Sequence, residues 1–276
     1  MKKTLLVLFV AGYSFYASAQ TLDLGIRGGI SSTWLLNTNV LNAGSDQNLS
    51  STMSSEFGFH SEINFLGGTG IELDVIYGKI SQKYNGNFQD DWVLYQNTSS
   101  NSLADATNGY AKGESYTATT QITALKLPLL FHYQAKGGFI FEVGPEYAML
   151  SGATYSATYS GNSTATHSSV SYGTQSLFAS SSINAVLGFG WNIKLIPSGK
   201  LFLLASLRFE YGLTDIKGTD GLGQDLSSSS QSYQVGSTGP TTARYSSYAG
   251  THMADGSFSI GVFYRLGLIP GGKSLL

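Results

Sequence analysis

Three groups of side chains in this chain have types and spacing that could do chemistry. His167, Ser168 and Ser169 stand in a Ser/Thr-rich stretch. On extended backbone His167 and Ser169 share a face, as a nucleophile and its base must. No acidic residue stands nearby to orient the imidazole, so the usual third member of such a set is missing. His60 lies at even spacing from Glu56 and Glu62, so all three point the same way on a strand. That grouping suits either proton transfer or a core ion pair. Asp215, Asp220 and Asp225 recur around Gly218, Gly221 and Gly223. Carboxylates on a glycine-rich loop can hold calcium, but this spacing is not that of an EF-hand. Gly188-Phe-Gly190 is no nucleotide loop, because it lies inside a strand pattern and no helix follows.

The elements that must position these groups are strands. From Leu22 the chain has period two. Leu22, Leu24, Ile26 and Ile30 alternate with Asp23, Gly25, Arg27 and Gly29. The same alternation recurs with Phe57, Phe59, Ile63 and Phe65 against Glu56, Gly58, His60, Glu62 and Asn64. It recurs with Ile71, Leu73, Val75 and Tyr77 against Glu72, Asp74, Ile76 and Gly78. A hairpin follows over Ile122 to Leu150, with Leu125, Leu127, Leu129, Phe131 and Tyr133 opposite Lys126, Leu130 and His132. Its second arm sets Phe139, Phe141, Val143, Tyr147 and Met149 opposite Glu142, Gly144, Glu146 and Ala148. Three more segments carry Asn184, Asn192 and Lys194, then Ser206, Arg208 and Glu210, then Ser257, Ser259 and Arg265 on their polar faces.

Eight segments is an even number. Short turns (Leu66-Gly67-Gly68, the Lys136-Gly137-Gly138 turn, Pro197-Ser198-Gly199) alternate with four long polar loops, about 37–55, 85–119, 151–182 and 214–255. One apolar face, one polar face and alternating turn lengths are the pattern of a bacterial outer-membrane barrel. The expected fold is therefore all-β, an eight-stranded antiparallel up-and-down transmembrane β-barrel. Lipid cannot satisfy backbone groups, so such a sheet must close. Phe65, Tyr133, Phe139, Trp191 and Tyr264 fall near the short turns, and Phe57, Tyr77, Tyr147, Tyr211 and Phe258 near the long loops, as two interfacial girdles would.

Composition agrees. Charged residues make up 12% and aromatics 13%, glycines number 34, and there is no cysteine. Lys2 and Lys3, the apolar run from Leu5 and the small residues Ala17-Ser18-Ala19 read as a signal peptide over 1–19, with the barrel domain over 20–276. Losing Lys2 and Lys3 would take the formal charge from −2 to −4, which excludes a nucleic-acid partner on charge.

An eight-stranded interior is only wide enough for side chains. The polar faces send Asp23, Glu56, Glu62, Glu72, Asp74, Glu142, Glu146 and Glu210 into it, against Arg27, Lys126, Lys194, Arg208 and Arg265, with His60 and His132. Unpaired charge there is costly, so the expectation is an ion-pair and hydrogen-bond network filling the lumen. No enzyme, cofactor or metal is expected. The expected setting is the outer membrane, with loops extracellular and both termini periplasmic. The expected partners are outer-membrane lipid, the barrel assembly machinery and an extracellular ligand, on a monomer.

Pro128 and Pro145 fall inside strands of the hairpin, where each removes a ladder donor. Folding about Lys136 sets Leu127 opposite Pro145 and Pro128 opposite Gly144, and predicts one bulge or ladder gap at that height.

Gly25-Ile-Arg-Gly-Gly29, Leu125-Lys-Leu-Pro-Leu-Leu130, Phe141-Glu-Val-Gly-Pro145 and Leu187-Gly-Phe-Gly190 resemble the PorT-like outer-membrane β-barrel proteins common in Bacteroidota. The likeness runs over most of the mature chain, with short, degenerate motifs. It implies the barrel fold and the outer membrane. It also implies an alternative role, accessory service to a protein secretion system. A lipid-modifying barrel enzyme, with Ser169 as its best candidate nucleophile, is a further alternative.

Overall fold

The computed structural model describes residues 19–87, 92–95, 109–110, 114–160, 170–197, 199–226, 232–235, 241–243 and 248–267. Residues 1–18 of the expected signal peptide, the His167/Ser169 pair and the tail after residue 267 lie outside the described residues.

Eight long strands build the wall: β1 (Ala19–Asn37), β2 (Thr52–Phe65), β3 (Thr69–Asn87), β4 (Ser115–Gln134), β5 (Phe139–Ser160), β6 (Ser181–Lys194), β7 (Leu201–Gly212) and β8 (Thr251–Gly267). Each pairs antiparallel with its chain neighbours, and β1 pairs β8 from Thr21↔Gly267 to Asn37↔Thr251. That last pairing closes the ring and leaves the eight strands no open edge, as lipid requires.

Strands β3, β4 and β5 run 19, 20 and 22 residues, about twice what a hydrocarbon core needs. Much of what reads as long polar loop is therefore wall. The reason lies in the outward polarity. On β4, Leu125 to Tyr133 point apolar side chains outward, while Thr117, Thr119, Gln121 and Thr123 occupy the outward positions above them. On the inward side the order reverses: Lys126 and His132 lie below, Ile122, Ala118 and Tyr116 above. Where lipid lies outside, apolar groups face out. Where water lies outside, the barrel folds like a soluble protein with an apolar interior. A search for apolar outward alternation sees only the lower half.

Shorter pieces decorate the ring. Asn37 caps a single helical turn, Thr38–Leu41, through Oδ1, which accepts from the N–H groups of Asn39 and Val40. Val170–Gly173 pairs with β5. Trp92–Tyr95 pairs with Gly109–Tyr110 and with Ser232–Val235, which pairs with Thr241–Ala243, so the second and fourth long connections share one small sheet.

The proline pair gives a gap and no bulge. Pairs across β4 and β5 run to Pro128↔Glu146 and resume at Phe131↔Val143 in the same register. On the other edge of β4 they pass from Leu73↔Leu129 to Ile76↔Lys126. Proline removes a donor without inserting a residue, so the register survives. The expected register is corrected by two residues, since Leu127 faces Tyr147 and Pro128 faces Glu146. The turn centres on Gly137, one residue later, because Gly138 takes the left-handed conformation (φ 83°). The hairpin's register shift lies higher, between Gln121 and Thr123, beside Gly152 at φ 59°.

Candidate functional site: the filled lumen and its mouth

Starting at the short-turn end, the interior is stacked in layers. Phe202 and Phe263 stack at 5.2 Å between centroids and 5° between planes, with Ile140 and Leu204 beside them. The Arg265 guanidinium lies 4.3 Å over the Phe202 ring, and its Nε and Nη2 reach Asp23 at 2.8 and 2.6 Å.

The charged layer follows. Arg208 donates to Asp74 at 2.8 Å and to Glu142 at 2.9 Å, and it also holds Glu72. Arg27 donates to the same Asp74 Oδ2 at 2.6 Å and to Ser259 Oγ at 2.5 Å. His60 Nδ1 lies 2.9 Å from Asp74 Oδ1, and His132 Nε2 lies 3.3 Å from Glu62. Higher up, Lys126 Nζ donates to Glu210 at 2.7 Å and to Asp255 at 2.6 Å, with Glu56 at 3.9 Å. Glu146 accepts from Asn184 Nδ2 at 2.8 Å.

The expected lumen residues Asp23, Arg27, Glu56, His60, Glu62, Glu72, Asp74, Lys126, Glu142, Glu146, Arg208, Glu210 and Arg265 are all buried there. Lys194 is the exception and a correction. It is the last residue of β6 and is exposed, because the strand has passed the rim and a long side chain there reaches water. Asp255 is the member sequence reasoning misses. It reads as the end of a loop, yet it shares the inward phase of Ser257, Ser259 and Gly261, and that phase is the signal that could have found it. Inward glycines give the long side chains room. A Cβ on Gly188 would lie 2.6 Å from Glu142 Oε2, and one on Gly70 would lie 2.2 Å from the His132 ring.

His60, Glu72 and Asp74 are close enough together to suggest a metal site. Arg27 and Arg208 already sit on two of its carboxylates, so a cation placed there would meet two guanidinium groups. The geometry is that of a salt-bridge core.

Above the charges lies an apolar layer, Leu35, Ile80, Ile122, Ala124, Ala148, Leu150, Ala153, Phe178, Ile216 and Met253. Above that, Val40, Tyr84, Tyr116, Ala118, Tyr155 and Ala157 surround Leu222 and Leu226. Ile216, Leu222 and Leu226 belong to the start of the fourth long connection. The segment 216–226, expected as part of an exposed loop, thus turns inward and plugs the mouth, while Leu213 and Lys217 stay exposed. Its polar backbone is provided for: Asp220 Oδ1 accepts from the N–H groups of Leu222 and Gln224, Tyr155 donates to Gly221 O, and Gly221 N–H donates to Gln47.

The three aspartates do not converge. Asp220 is fully buried and bonded within the plug, and Thr219 and Asp225 form an isolated bridge. Asp215 accepts from Tyr248 Oη, from Thr251 N–H at 2.8 Å and from Lys217 N–H at 2.8 Å, outside the apolar band. Partial burial pushes the Asp215 carboxyl up, but these three hydrogen bonds outweigh it and hold it below its ordinary value. Burial first, and then the Asp215 carboxylate, push the Tyr248 phenol up to about 12. The calcium reading thus gives way to a backbone-capping one at Asp215 and Asp220.

The outer wall of the lower half is studded with exposed Ile26, Phe57, Phe59, Leu129, Phe131, Leu207 and Ile260. Aromatic rings border this band: Phe57 packs 5.4 Å from Tyr77 near one edge, and Phe139 lies edge-on 4.9 Å from Trp191 near the other. The model for the family described as outer membrane protein beta-barrel domain matches residues 18–218.

The chain belongs to that family of outer-membrane β-barrels. No curated protein matches the sequence. Solved structures that it is similar to include Neisserial surface protein A, at 9% identity and TM-score 0.36, covering 89% of this chain and 97% of that one. The attachment invasion locus protein Ail of Yersinia pestis, in complex with the heparin analogue sucrose octasulfate, gives 9% and 0.32, covering 89% and 99%. The outer membrane protease OmpT from Escherichia coli gives 8% and 0.35, covering 90% and 97%. At these scores the likenesses carry no argument about function.

Proposed function

We propose that this barrel is a monomeric, non-catalytic anchor in the bacterial outer membrane that displays a binding surface outside the cell. Its long connections are extracellular and both termini periplasmic. The observation that carries the reading is the filled lumen: a stacked aromatic floor, a charged layer, an apolar layer and an inserted plug leave side chains at every level. Such a barrel has little to conduct, so its working part is the polar wall and the joined second and fourth connections above the band. Their Ser, Thr, Asn, Tyr and Gly content suits adaptable polar recognition. Two measurements test this. Planar bilayers should show no steady conductance. Cells carrying a barrel with the second and fourth connections shortened should lose a surface-binding phenotype that the full chain confers; unchanged binding to every surface partner tried would sink the proposal.

A second reading is supported by the PorT-like motifs in β1, β4, β5 and β6. It makes the barrel an accessory of a protein secretion system, working with partners in the envelope. It predicts that deleting the gene blocks export of other proteins while the barrel's own loops are dispensable. The lipid-modifying alternative rests on His167 and Ser169, and unchanged lipid profiles on Ser169→Ala would remove it.

A further inference from the structure

Outward polarity switches at one level on three neighbouring strands. Tyr77, Leu125 and Met149 are paired across β3, β4 and β5 and are the last apolar outward residues. Lys79, Thr123 and Ser151 are paired in the next outward row. That row is where the apolar outward face of these three strands ends. Above it the outward positions of β4 and β5 carry Thr117, Thr119, Gln121, Thr154, Ser156 and Thr158, all uncharged. The charges on this wall are Lys79 and Lys83 of β3, about 13 Å apart along the strand. Lys79 is exposed and donates to Gln121 Oε1 at 3.1 Å. Among the described residues no carboxylate lies in salt-bridge range of either lysine, and none occupies an outward position on this wall.

We propose that this wall binds a phosphorylated glycolipid of the outer leaflet. Its acyl chains lie along the apolar band at Tyr77, Leu125 and Met149. Its phosphates meet the ammonium groups of Lys79 and Lys83, and its sugar hydroxyls meet the Ser, Thr and Gln rows. The lysines are placed for it. Lys79 is in the first row beyond that apolar face, at headgroup depth, and Lys83 two rows higher. Among the described residues this neutral, hydroxyl-rich wall offers the two lysines no carboxylate, so an anionic partner is favoured. The outer-leaflet assignment rests on the proposed orientation, with the long connections outside.

The test uses the folded barrel in neutral detergent, with diphosphorylated lipid A as the probe and its dephosphorylated form, plus phosphatidylglycerol, as controls. Binding is read as the rise in the heat-unfolding midpoint with probe concentration. Diphosphorylated lipid A should bind saturably. Lys79→Ala with Lys83→Ala should weaken it about 25-fold, at about fivefold for each lysine. Both Lys→Arg changes should preserve binding, and Lys136→Ala with Lys200→Ala, on the short turns, should leave it unchanged. Equal binding by the Lys79/Lys83 double variant, or by the dephosphorylated form, overturns the proposal. So does equal competition by phosphatidylglycerol, which would show charge attraction without a glycolipid site. Labelling a Ser160→Cys variant on intact cells reads orientation separately. Reaction only after lysis would overturn the outer-leaflet assignment, whatever the detergent result.

Discussion

Lys126 Nζ on β4 lies 2.6 Å from Asp255 Oδ2 on β8, four strands away in a ring of eight, so one hydrogen bond spans the barrel between opposite walls. Arg208 of β7 and Asp74 of β3 do the same at 2.8 Å. These struts tie together strands that share no backbone ladder. Neighbouring pairs such as Arg265 and Asp23 on β8 and β1 cannot do that.

Removing a strut cation should therefore cost more than a surface ion pair would. Lys126→Met leaves Glu210 and Asp255 buried without their shared partner and should destabilise the barrel by about 3–5 kcal/mol. Adding Asp255→Asn should recover part of the loss. Urea unfolding in lipid vesicles measures both. A cost under about 1 kcal/mol for the single change would show that the strut is not structural.

The inward glycines make a sharper packing test. Gly188→Ala would put a Cβ 2.6 Å from Glu142 Oε2 and 3.3 Å from Arg208 Cγ, two groups fixed by each other. About 1–3 kcal/mol of destabilisation is expected. Gly137→Ala, where a Cβ meets open space, should be close to neutral. The gel shift between folded and heat-unfolded forms reports both.

Plug and charged layer can be separated by conductance. Replacing 218–226 with a short Gly/Ser connection should leave planar bilayers silent, because Arg208, Lys126 and their partners still fill the lumen below. A steady current in that variant and not in the parent would show that the plug alone seals the barrel.

The Asp215 tether is the pH-sensitive joint. Its carboxyl is held below the ordinary value in the folded protein, so the tether contributes fully above the unfolded value of 3.8. That contribution is lost as pH falls from there through the lower folded value. The backbone N–H groups of Lys217 and Thr251 should stay protected from hydrogen exchange at pH 5 and lose protection only below the ordinary Asp range. Asp215→Asn should expose them at neutral pH as well. Protection unchanged in that variant would mean the carboxylate does not hold the loop.

Orientation is open to a direct probe, since the chain has no cysteine of its own. A membrane-impermeant maleimide should label Ser160→Cys, at the top of β5, on intact cells. It should label Lys136→Cys, on a short turn, only after lysis. The reverse pattern would invert the proposed topology.

Much of this was legible in the residues alone. Leu24 and Ile26 against Asp23 and Arg27, or Phe57 and Phe59 against Glu56 and His60, define a strand, its outward face and its lipid contact. Period two fixes which side chains leave on which side. Eight such runs and three tight turns gave the ring its strand number. Closure decided the rest. Which cation meets which carboxylate depends on strands far apart in sequence arriving across one lumen, so the Lys126–Asp255 and Arg208–Asp74 pairs follow from the ring's geometry. The upper wall was hidden because its outward face meets water: Thr117, Thr119 and Thr154 read as loop until Ile122, Ala118 and Tyr155 are seen packed behind them. Ile216 and Leu222 likewise turn inward only because the closed mouth offers them an apolar interior, and no local pattern encodes that.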